Sequence, residues 1–256
     1  MKTNKLSDTA HANLHRLHHN PYPGRGLVLG KSTDGKFAIQ ICWIMGRSEN
    51  SRSRVYTADG GRVFTEASNP AKLKDPSLVI YNAMAEVDGG GAFIVSNGDQ
   101  TDTILKYAKQ GSEHVLCEIL QIRTYEPDGP NFTPRITGVT MLWEGIDYLE
   151  FSILRKTMLI VPDSSNGDCE RCYYRYNNMQ PGFGACITTY EGDGDPLPSF
   201  GGGPYVVPLP GDIDEVANLY WGTLNEDNRV SIAVKFIDLS TGSATIKIIN
   251  KEEKVE

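Results

Sequence analysis

The chain has 256 residues, of which 39% are hydrophobic and 22% are charged, and its formal net charge is -7 at pH 7. This length and composition indicate an ordinary globular protein, which we expect to form one compact domain. An acidic chain without a broad basic face argues against nucleic acid and anionic membranes as partners, and it favours a small-molecule ligand.

A polar leader, residues 1–19, contains four histidines: His11, His15, His18 and His19. Few apolar residues accompany them, so we expect a solvated or partly frayed segment rather than a metal site. The leader has no apolar signal-peptide core, and no stretch of the chain approaches the roughly 18 apolar residues of a membrane span. The sequence therefore predicts a cytoplasmic protein with one domain over residues 20–250 and a charged, acidic tail over 251–256.

Most of the domain reads as strands separated by glycine, proline and aspartate. Alternating Phe37, Ile39, Ile41 and Trp43 predict a half-buried antiparallel strand. The preceding STDG sequence predicts a hairpin turn with Gly35 in an unusual backbone conformation. Predicted strands start at Gly26, Lys36, Arg54, Leu78, Gly91, Ile136, Tyr148, Thr157, Cys172, Ala185, Arg229 and Ser243.

Three helices are predicted. The first follows Asp99 as N-cap and ends at Gly111, the second starts at Ser112, and the third starts at Asp212, which caps it. Runs of strands followed by runs of helices predict an α+β fold, in which helices cover antiparallel sheets from outside.

Residues 47–54 read R-S-E-N-S-R-S-R, three arginines and three serines in an acidic protein. Guanidinium groups bind phosphate oxygens bidentately and stay charged, and serine hydroxyls add hydrogen bonds. The cluster is therefore a candidate phosphate site, with a solvated arginine-rich turn as the alternative.

Two further segments are rich in hydrogen-bonding groups. At the strand-to-helix junction 96–102 we expect Asn97 and Gly98 to lie nearest a neutral ligand group, although plain helix capping explains the same residues. Prolines hold polar side chains in the loop 124–138, where an ion pair of Glu126 with Arg135 is the structural alternative to a binding role.

Tyr81 and Asn82 interrupt an apolar strand. They either face a pocket or form a core tyrosine and a bulge. The five cysteines suit reduced thiols, because their number is odd and no export signal is present. Cys169 and Cys172 form a lone CxxC without a second ligand pair nearby, so no metal site is predicted.

Six strings follow one another along the chain: NPYPGRGLVLGK, GRSENSRSR, VIYNAM, VSNGDQTD, TYEPDGPNFTPRI and TYEGDGDPLPSFGGGP. Together and in this order they resemble the archaeal-type inosine monophosphate (IMP) cyclohydrolases and their bacterial relatives. The likeness covers roughly residues 20–240. The resemblance implies an Ntn-hydrolase-like four-layer αββα sandwich of two mainly antiparallel sheets, without an N-terminal nucleophile.

The resemblance also implies a reaction without a cofactor or metal. The carboxamide nitrogen of a formamidoimidazole carboxamide ribonucleotide attacks the formyl carbon of the same molecule, and loss of water gives IMP. The enzyme aligns the two groups and stabilises charge on the formyl oxygen, and a base assists the weakly nucleophilic amide.

Site residues follow from the same resemblance. Arg47, and Arg54 with Ser51, are placed on the phosphate or the formyl oxygen. Tyr81, Asn97 and Glu126 are placed at the reacting end, with Glu126 as proton shuttle and Tyr81 as hydrogen-bond donor. The remaining candidates are Asp102, which competes with Glu126 as base, Arg25, a further phosphate ligand, and the substrate-binding residues Asn82, Gly98, Asn131, Thr133 and Arg135.

Two other functions fit the same residues: a purine-nucleotide-binding protein without turnover, and a formamide or amide hydrolase on the same scaffold. A loosely closed site favours the hydrolase, because hydrolysis needs only a positioned water. The sequence is compatible with a homo-oligomer.

Overall fold

The computed structural model describes residues 2–70, 80–87, 91–108, 115–143, 146–157 and 168–254. Within these ranges the helices are α1 (Lys2–His18), α2 (Glu49–Arg52), α3 (Gln100–Ala108), α4 (Val115–Ile119) and α5 (Ile213–Thr223). The strands are β1 (Gly26–Lys31), β2 (Phe37–Met45), β3 (Arg54–Asp59), β4 (Arg62–Ala67), β5 (Asn82–Glu86), β6 (Ala92–Ser96), β7 (Arg135–Trp143), β8 (Ile146–Lys156), β9 (Cys169–Asn177), β10 (Phe183–Thr188), β11 (Tyr205–Pro208), β12 (Arg229–Asp238) and β13 (Ala244–Asn250).

The strands form two antiparallel sheets. Sheet A has the order β11-β10-β1-β2-β12-β13, and sheet B runs β3-β4-β5-β6-β7-β8-β9 in chain order. Every neighbouring pair is antiparallel. Sheet B is thus a meander, whereas sheet A combines strands from both ends of the chain.

Three apolar clusters set the order of the layers. Between the sheets, Leu27 and Leu29 of sheet A pack with Val95 and Ile136 of sheet B. Helices α1 and α5 cover the outer face of sheet A, and α3 and α4 cover the outer face of sheet B. The sheets approach so closely that a Cβ on Gly138 would lie 2.8 Å from Leu29 Cδ1. The predicted α+β class, with antiparallel sheets covered from outside, is confirmed.

Strand β2 is buried on both faces, not half-buried as its alternation predicted. Ile39 and Trp43 contact the α5 layer, while Cys42 and Ile44 pack between the sheets. A central strand of a sheet that is covered on both faces has no side exposed to solvent. The polar Gln40 side chain is tolerated there because its amide donates to Phe93 O at 2.8 Å and Thr140 Oγ1 at 3.1 Å.

The polar leader is a helix rather than a frayed segment. Ala10, Leu14 and Leu17 recur at helical spacing and give α1 an apolar face, which packs on sheet A. Asn13 Nδ2 fixes it by donating to Val206 O at 2.8 Å. The sequence did not predict this helix because the three apolar residues are few among the polar residues of the leader. In the part of the chain that the structure describes, no helix combines the length and apolarity needed to cross a membrane.

Most other predicted elements are present. Asp212 caps α5 in a capping box with Glu215, and Gly35 has a φ of 72°. All five cysteines carry free thiols. The predicted strand from Leu78 begins at Asn82. Ser112, Gly111 and most of the strand from Thr157 lie outside the described residues, and α2, β4 and β11 were not predicted.

Lys235 on β12 is fully buried between the sheets. Its ammonium donates to Gly61 O at 2.5 Å and lies 5.8 Å from the Phe93 ring centroid. Burial lowers the pKa of Lys235 to about 8, although the charge of Glu86 acts in the opposite direction.

We predict that Lys235→Met removes a pH dependence of stability. The pKa of Lys235 is lower in the folded state than in the unfolded state. At pH values between these two pKa values the unfolded chain binds more protons than the folded chain, so stability rises with pH in that range. The difference in unfolding free energy, variant minus wild type, should fall by about 1.5 kcal/mol from about pH 8 to about pH 9.5. Urea unfolding of both proteins measures it. A constant difference would show that Lys235 is not desolvated.

Candidate functional site

A cavity of about 340 Å³, called here the arginine cavity, lies where loops of both sheets meet. The turn before β1, the segment from the end of β2 to the start of β3, the loop before β7 and the segment after β10 form its walls. Its lining residues are Tyr22, Gly24, Arg25, Met45, Arg47, Ser48, Asn50, Ser51, Arg54, Glu126, Asp128, Asn131, Thr133, Tyr190 and Leu197.

A buried ion pair joins two of these walls. Arg25 Nη2 donates to Glu126 Oε2 at 2.7 Å, and the two side chains are 11% and 4% exposed. Arg25 Nη1 donates to the backbone oxygen of Asn97 at 2.9 Å. Burial opposes the charge on Arg25, but the Glu126 carboxylate outweighs it and the pKa of Arg25 is raised. The pair holds the Glu126 carboxylate in one orientation at the cavity.

Arg54 is a buried cation without an acidic partner among the described residues. Its Nε donates to Ser51 O at 2.9 Å, and it forms no ion pair with any carboxylate of the described residues. Burial lowers the pKa of Arg54, and the charge of Arg25 lowers it further. A guanidinium held without a counter-ion against a cavity is suited to bind an anion.

The rest of the arginine and serine cluster divides between the cavity and the protein surface. Arg47 lies 5.0 Å from the Tyr22 ring centroid and pairs with Asp193. Arg52 does not line the cavity, because its Nε donates to Gly46 O at 2.9 Å. The Ser51 hydroxyl donates to Ser48 O at 2.9 Å, so it is already engaged within the α2 capping box.

The hydroxyl of Tyr81 is buried and has no hydrogen-bond partner among the described residues. Burial raises the pKa of Tyr81, while the charges of Arg25 and Arg54 lower it. Tyr81 does not line the arginine cavity and packs in the core between the sheets, near enough to Arg25 and Arg54 to interact with their charges. An orphan donor is costly unless a ligand satisfies it.

A hydrogen-bonded chain shapes the opposite wall. Tyr190 donates to the Thr133 hydroxyl, which donates to Asp128. The backbone nitrogen of Thr133 also donates to Asp128 at 2.7 Å, and the Glu126 nitrogen donates to Thr133 O at 2.9 Å. Asn131 Oδ1 accepts from Leu197 N at 3.0 Å. The loop is therefore rigid without a ligand.

Three predicted residues, Asn97, Gly98 and Arg135, do not line the arginine cavity. The Asn97 side chain makes three hydrogen bonds within the protein: its Oδ1 accepts from Ile136 N and Gln100 Nε2, each at 2.8 Å, and its Nδ2 donates to Pro134 O at 2.9 Å. A Cβ on Gly98 would lie 2.8 Å from Arg135 Nη1 and 3.4 Å from Glu126 Oε1.

Arg135 binds Asp99 and Gln100 Oε1. The structural alternative in which Arg135 pairs with Glu126 is therefore not formed, because Glu126 pairs with Arg25 instead.

Asn82 and Asp102 lie together elsewhere, with Asn82 Nδ2 donating to Asp102 Oδ1 at 2.7 Å. Neither lines the arginine cavity. Of the two carboxylates considered as base, the structure brings only Glu126 to it.

Sequence reasoning did not assign several cavity residues. Tyr22 and Tyr190 stack with ring centroids 6.0 Å apart and form one wall. Both tyrosines lie in strings that resemble the family, and this resemblance is the sequence signal that could have identified them. Ser48 and Asn50 lie in the arginine and serine cluster 47–54 and Asp128 lies in the loop 124–138, but the sequence did not identify them as site residues.

Comparison with known proteins identifies the family of the chain. The sequence model of the family described as IMP cyclohydrolase-like protein matches residues 22–242. The chain therefore belongs to the IMP cyclohydrolase-like family. No curated protein matches the chain.

We predict that Arg25 and Glu126 are energetically coupled. Arg25→Met should cost about 3 kcal/mol or more of unfolding free energy, because it leaves Glu126 buried and unpaired. Adding Glu126→Gln should recover part of that loss, giving a coupling energy above about 1 kcal/mol in a urea-unfolding double-mutant cycle. Simple addition of the two single costs would contradict the ion pair.

Proposed function

We propose that the protein is an IMP cyclohydrolase, which closes the second purine ring of 5-formamidoimidazole-4-carboxamide ribonucleotide with loss of water in purine biosynthesis. The observation that carries this proposal is Arg54, a buried cation that forms no ion pair with a described carboxylate, at a cavity that the Arg25–Glu126 pair also lines. Family membership supplies the reaction class.

The charges of the cavity suggest how the substrate lies. Its phosphate would meet Arg54, with Arg47 beside it, because these are the cations free of a buried acidic partner. The imidazole with its two substituents would then lie toward Glu126 and Tyr81. Asn131 and Asp128 also line the cavity and would offer hydrogen-bonding groups to the ribose.

The chemical step assigns one role to each group at the reacting end. The carboxamide nitrogen forms a bond to the formyl carbon, and Glu126 accepts the proton that the nitrogen loses. Tyr81 donates a hydrogen bond to the formyl oxygen as negative charge develops there. Glu126 then returns that proton to the oxygen, which becomes a hydroxyl. Elimination of this hydroxyl together with the proton of the former formamide nitrogen forms the C=N double bond, releases water and completes the ring.

A rigid site suits such a reaction. Nucleophile and electrophile belong to one molecule, so the enzyme gains most by rotating two substituents into alignment. The anchored loop around Thr133 and the Arg25–Glu126 pair provide fixed groups for that alignment. Asn97 acts in this account as a positioning residue, through its contact with Arg25.

The finer fold assignment belongs to the same proposal. The helix–sheet–sheet–helix order supports an Ntn-hydrolase-like sandwich in which the interior groups named above, rather than an N-terminal nucleophile, perform the chemistry. The reaction as proposed uses no cofactor. A homo-oligomer and a cytoplasmic location stay predictions from the sequence.

We expect purified protein, without added metal or cofactor, to convert the formamido ribonucleotide to IMP, measured as a change in ultraviolet absorbance. Tight IMP binding without turnover would favour the nucleotide-binding protein instead. Release of formate without IMP would favour the hydrolase.

Substitutions at the proposed phosphate contact and at the proposed reacting groups should affect different kinetic constants. Arg54→Met should raise KM at least about tenfold, because a charge-assisted phosphate contact is lost. Glu126→Gln and Tyr81→Phe should each lower kcat by about 100-fold.

Arg62→Met is the matched control for this experiment, since Arg62 is an exposed arginine on β4. It should leave both constants unchanged. Wild-type kinetics in Arg54→Met and Glu126→Gln would refute the site.

A further inference from the structure

A second cavity, of about 580 Å³, lies between the C-terminal end of α1 and the segment that follows β10. It is called here the helix cavity. Its volume is within the range of small-molecule sites. Its lining residues are Arg16, Leu17, His19, Asn20, Pro21, Thr188, Tyr190, Glu191, Gly192, Phe200, Gly202, Gly203 and Tyr205.

Part of this cavity lies outside the residues that the family model matches. Arg16, His19 and Asn20 precede residue 22, where the match to the family begins. Helix α1, which carries Arg16, is held on sheet A by the Asn13 contact and by Leu17 in the core. The helix cavity is therefore a fixed feature that the proposed function does not use.

Cationic and donor groups line one side of the helix cavity. The Arg16 guanidinium lies 5.0 Å from the Tyr205 ring centroid and forms no ion pair within the described residues. His19 Nδ1 donates to His15 O at 2.9 Å, so its Nε2 is left for other contacts. Arginine that lacks a carboxylate and stacks on an aromatic ring is typical of phosphate and nucleotide sites.

The glycine segment adds backbone donors. Neither the Gly202 nor the Gly203 amide donates to another described residue. A Cβ on Gly203 would lie 3.1 Å from the Tyr174 hydroxyl, so glycine lets the backbone pack closely here. Free amides next to a guanidinium form a site for oxyanions.

The other side offers an acceptor and an aromatic floor. Glu191 Oε1 accepts from Gly201 N at 2.7 Å, and the carboxylate forms no ion pair with a described residue. Phe200 and Tyr205 lie with ring centroids 6.2 Å apart. A ligand that fits all of these groups has an oxyanion, a flat ring and N–H or O–H donors.

Tyr190 separates the two cavities, since it lines both. Its ring is stacked on Tyr22, and its hydroxyl is bound to Thr133. Because Tyr190 is held on both sides, the two cavities are separate, and a ligand of one would not extend through this ring into the other.

We propose that the helix cavity is a second binding site, for a nucleoside monophosphate. Arg16 and the Gly202 and Gly203 amides bind the phosphate, the aromatic floor supports the base, and Glu191 accepts hydrogen bonds from the base or the ribose.

Titration calorimetry with IMP tests this proposal. Wild type should bind two molecules per chain, and Arg16→Ala should bind one while keeping its kcat. His11→Ala, an exposed residue of the same helix outside the cavity, is the matched control and should keep both sites. Ribose 5-phosphate should bind the helix cavity at least about tenfold more weakly, because it lacks the base.

Arg54→Met separates this proposal from the proposed function, because it should remove only the arginine-cavity site. Loss of one site in Arg16→Ala supports the helix cavity whatever Arg54→Met does. A single wild-type site that survives Arg16→Ala, or two sites that both survive it, would overturn the proposal. Thermal unfolding verifies that the variants are folded.

Discussion

The buried ion pair of Arg25 and Glu126 is the constraint on which the site depends. Arg25 precedes the first strand of sheet A, and Glu126 lies in the loop that leads into β7 of sheet B. The pair therefore fixes the distance between the two sheets at the open end of their shared core. Because each partner would be costly to bury alone, neither loop can move independently, and the Glu126 carboxylate reaches the cavity in a defined orientation.

In the proposed function, this acidic protein binds an anion at a buried cation that has no carboxylate partner among the described residues. Arg25 pairs with Glu126 and Arg47 with Asp193, whereas within the described residues Arg54 donates to the backbone oxygen of Ser51. A buried guanidinium without a counter-ion is costly in the free protein, and a bound phosphate would compensate that cost. The buried Tyr81 hydroxyl also has no hydrogen-bond partner among the described residues, and in the proposed function a hydrogen bond to the ligand would compensate for this.

Local patterns predicted most strands and α5, because alternation and capping act within a few residues. They failed where the structure depends on contacts between residues far apart in the sequence. Helix α1 forms because a stripe of three apolar residues packs against sheet A, and α5 covers the face of β2 that we expected to be exposed to solvent. In the site, the family resemblance identified Arg54 and Glu126. It could not show that the Asn97 side chain binds the Ile136 and Pro134 backbone and the Gln100 amide, or that Asn82 donates to Asp102, since both depend on three-dimensional packing.

The central claim is that one ribonucleotide spans the arginine cavity, with its phosphate at Arg54 and its base at Glu126 and Tyr81. A crystal structure with bound IMP tests this most directly. The account predicts phosphate oxygens within hydrogen-bond distance of the Arg54 guanidinium and the newly closed ring against the Glu126 carboxylate and the Tyr81 hydroxyl. A reversed ligand, with its phosphate at Arg25 and its base at Arg54, or an arginine cavity that stays empty at saturating IMP, would contradict it.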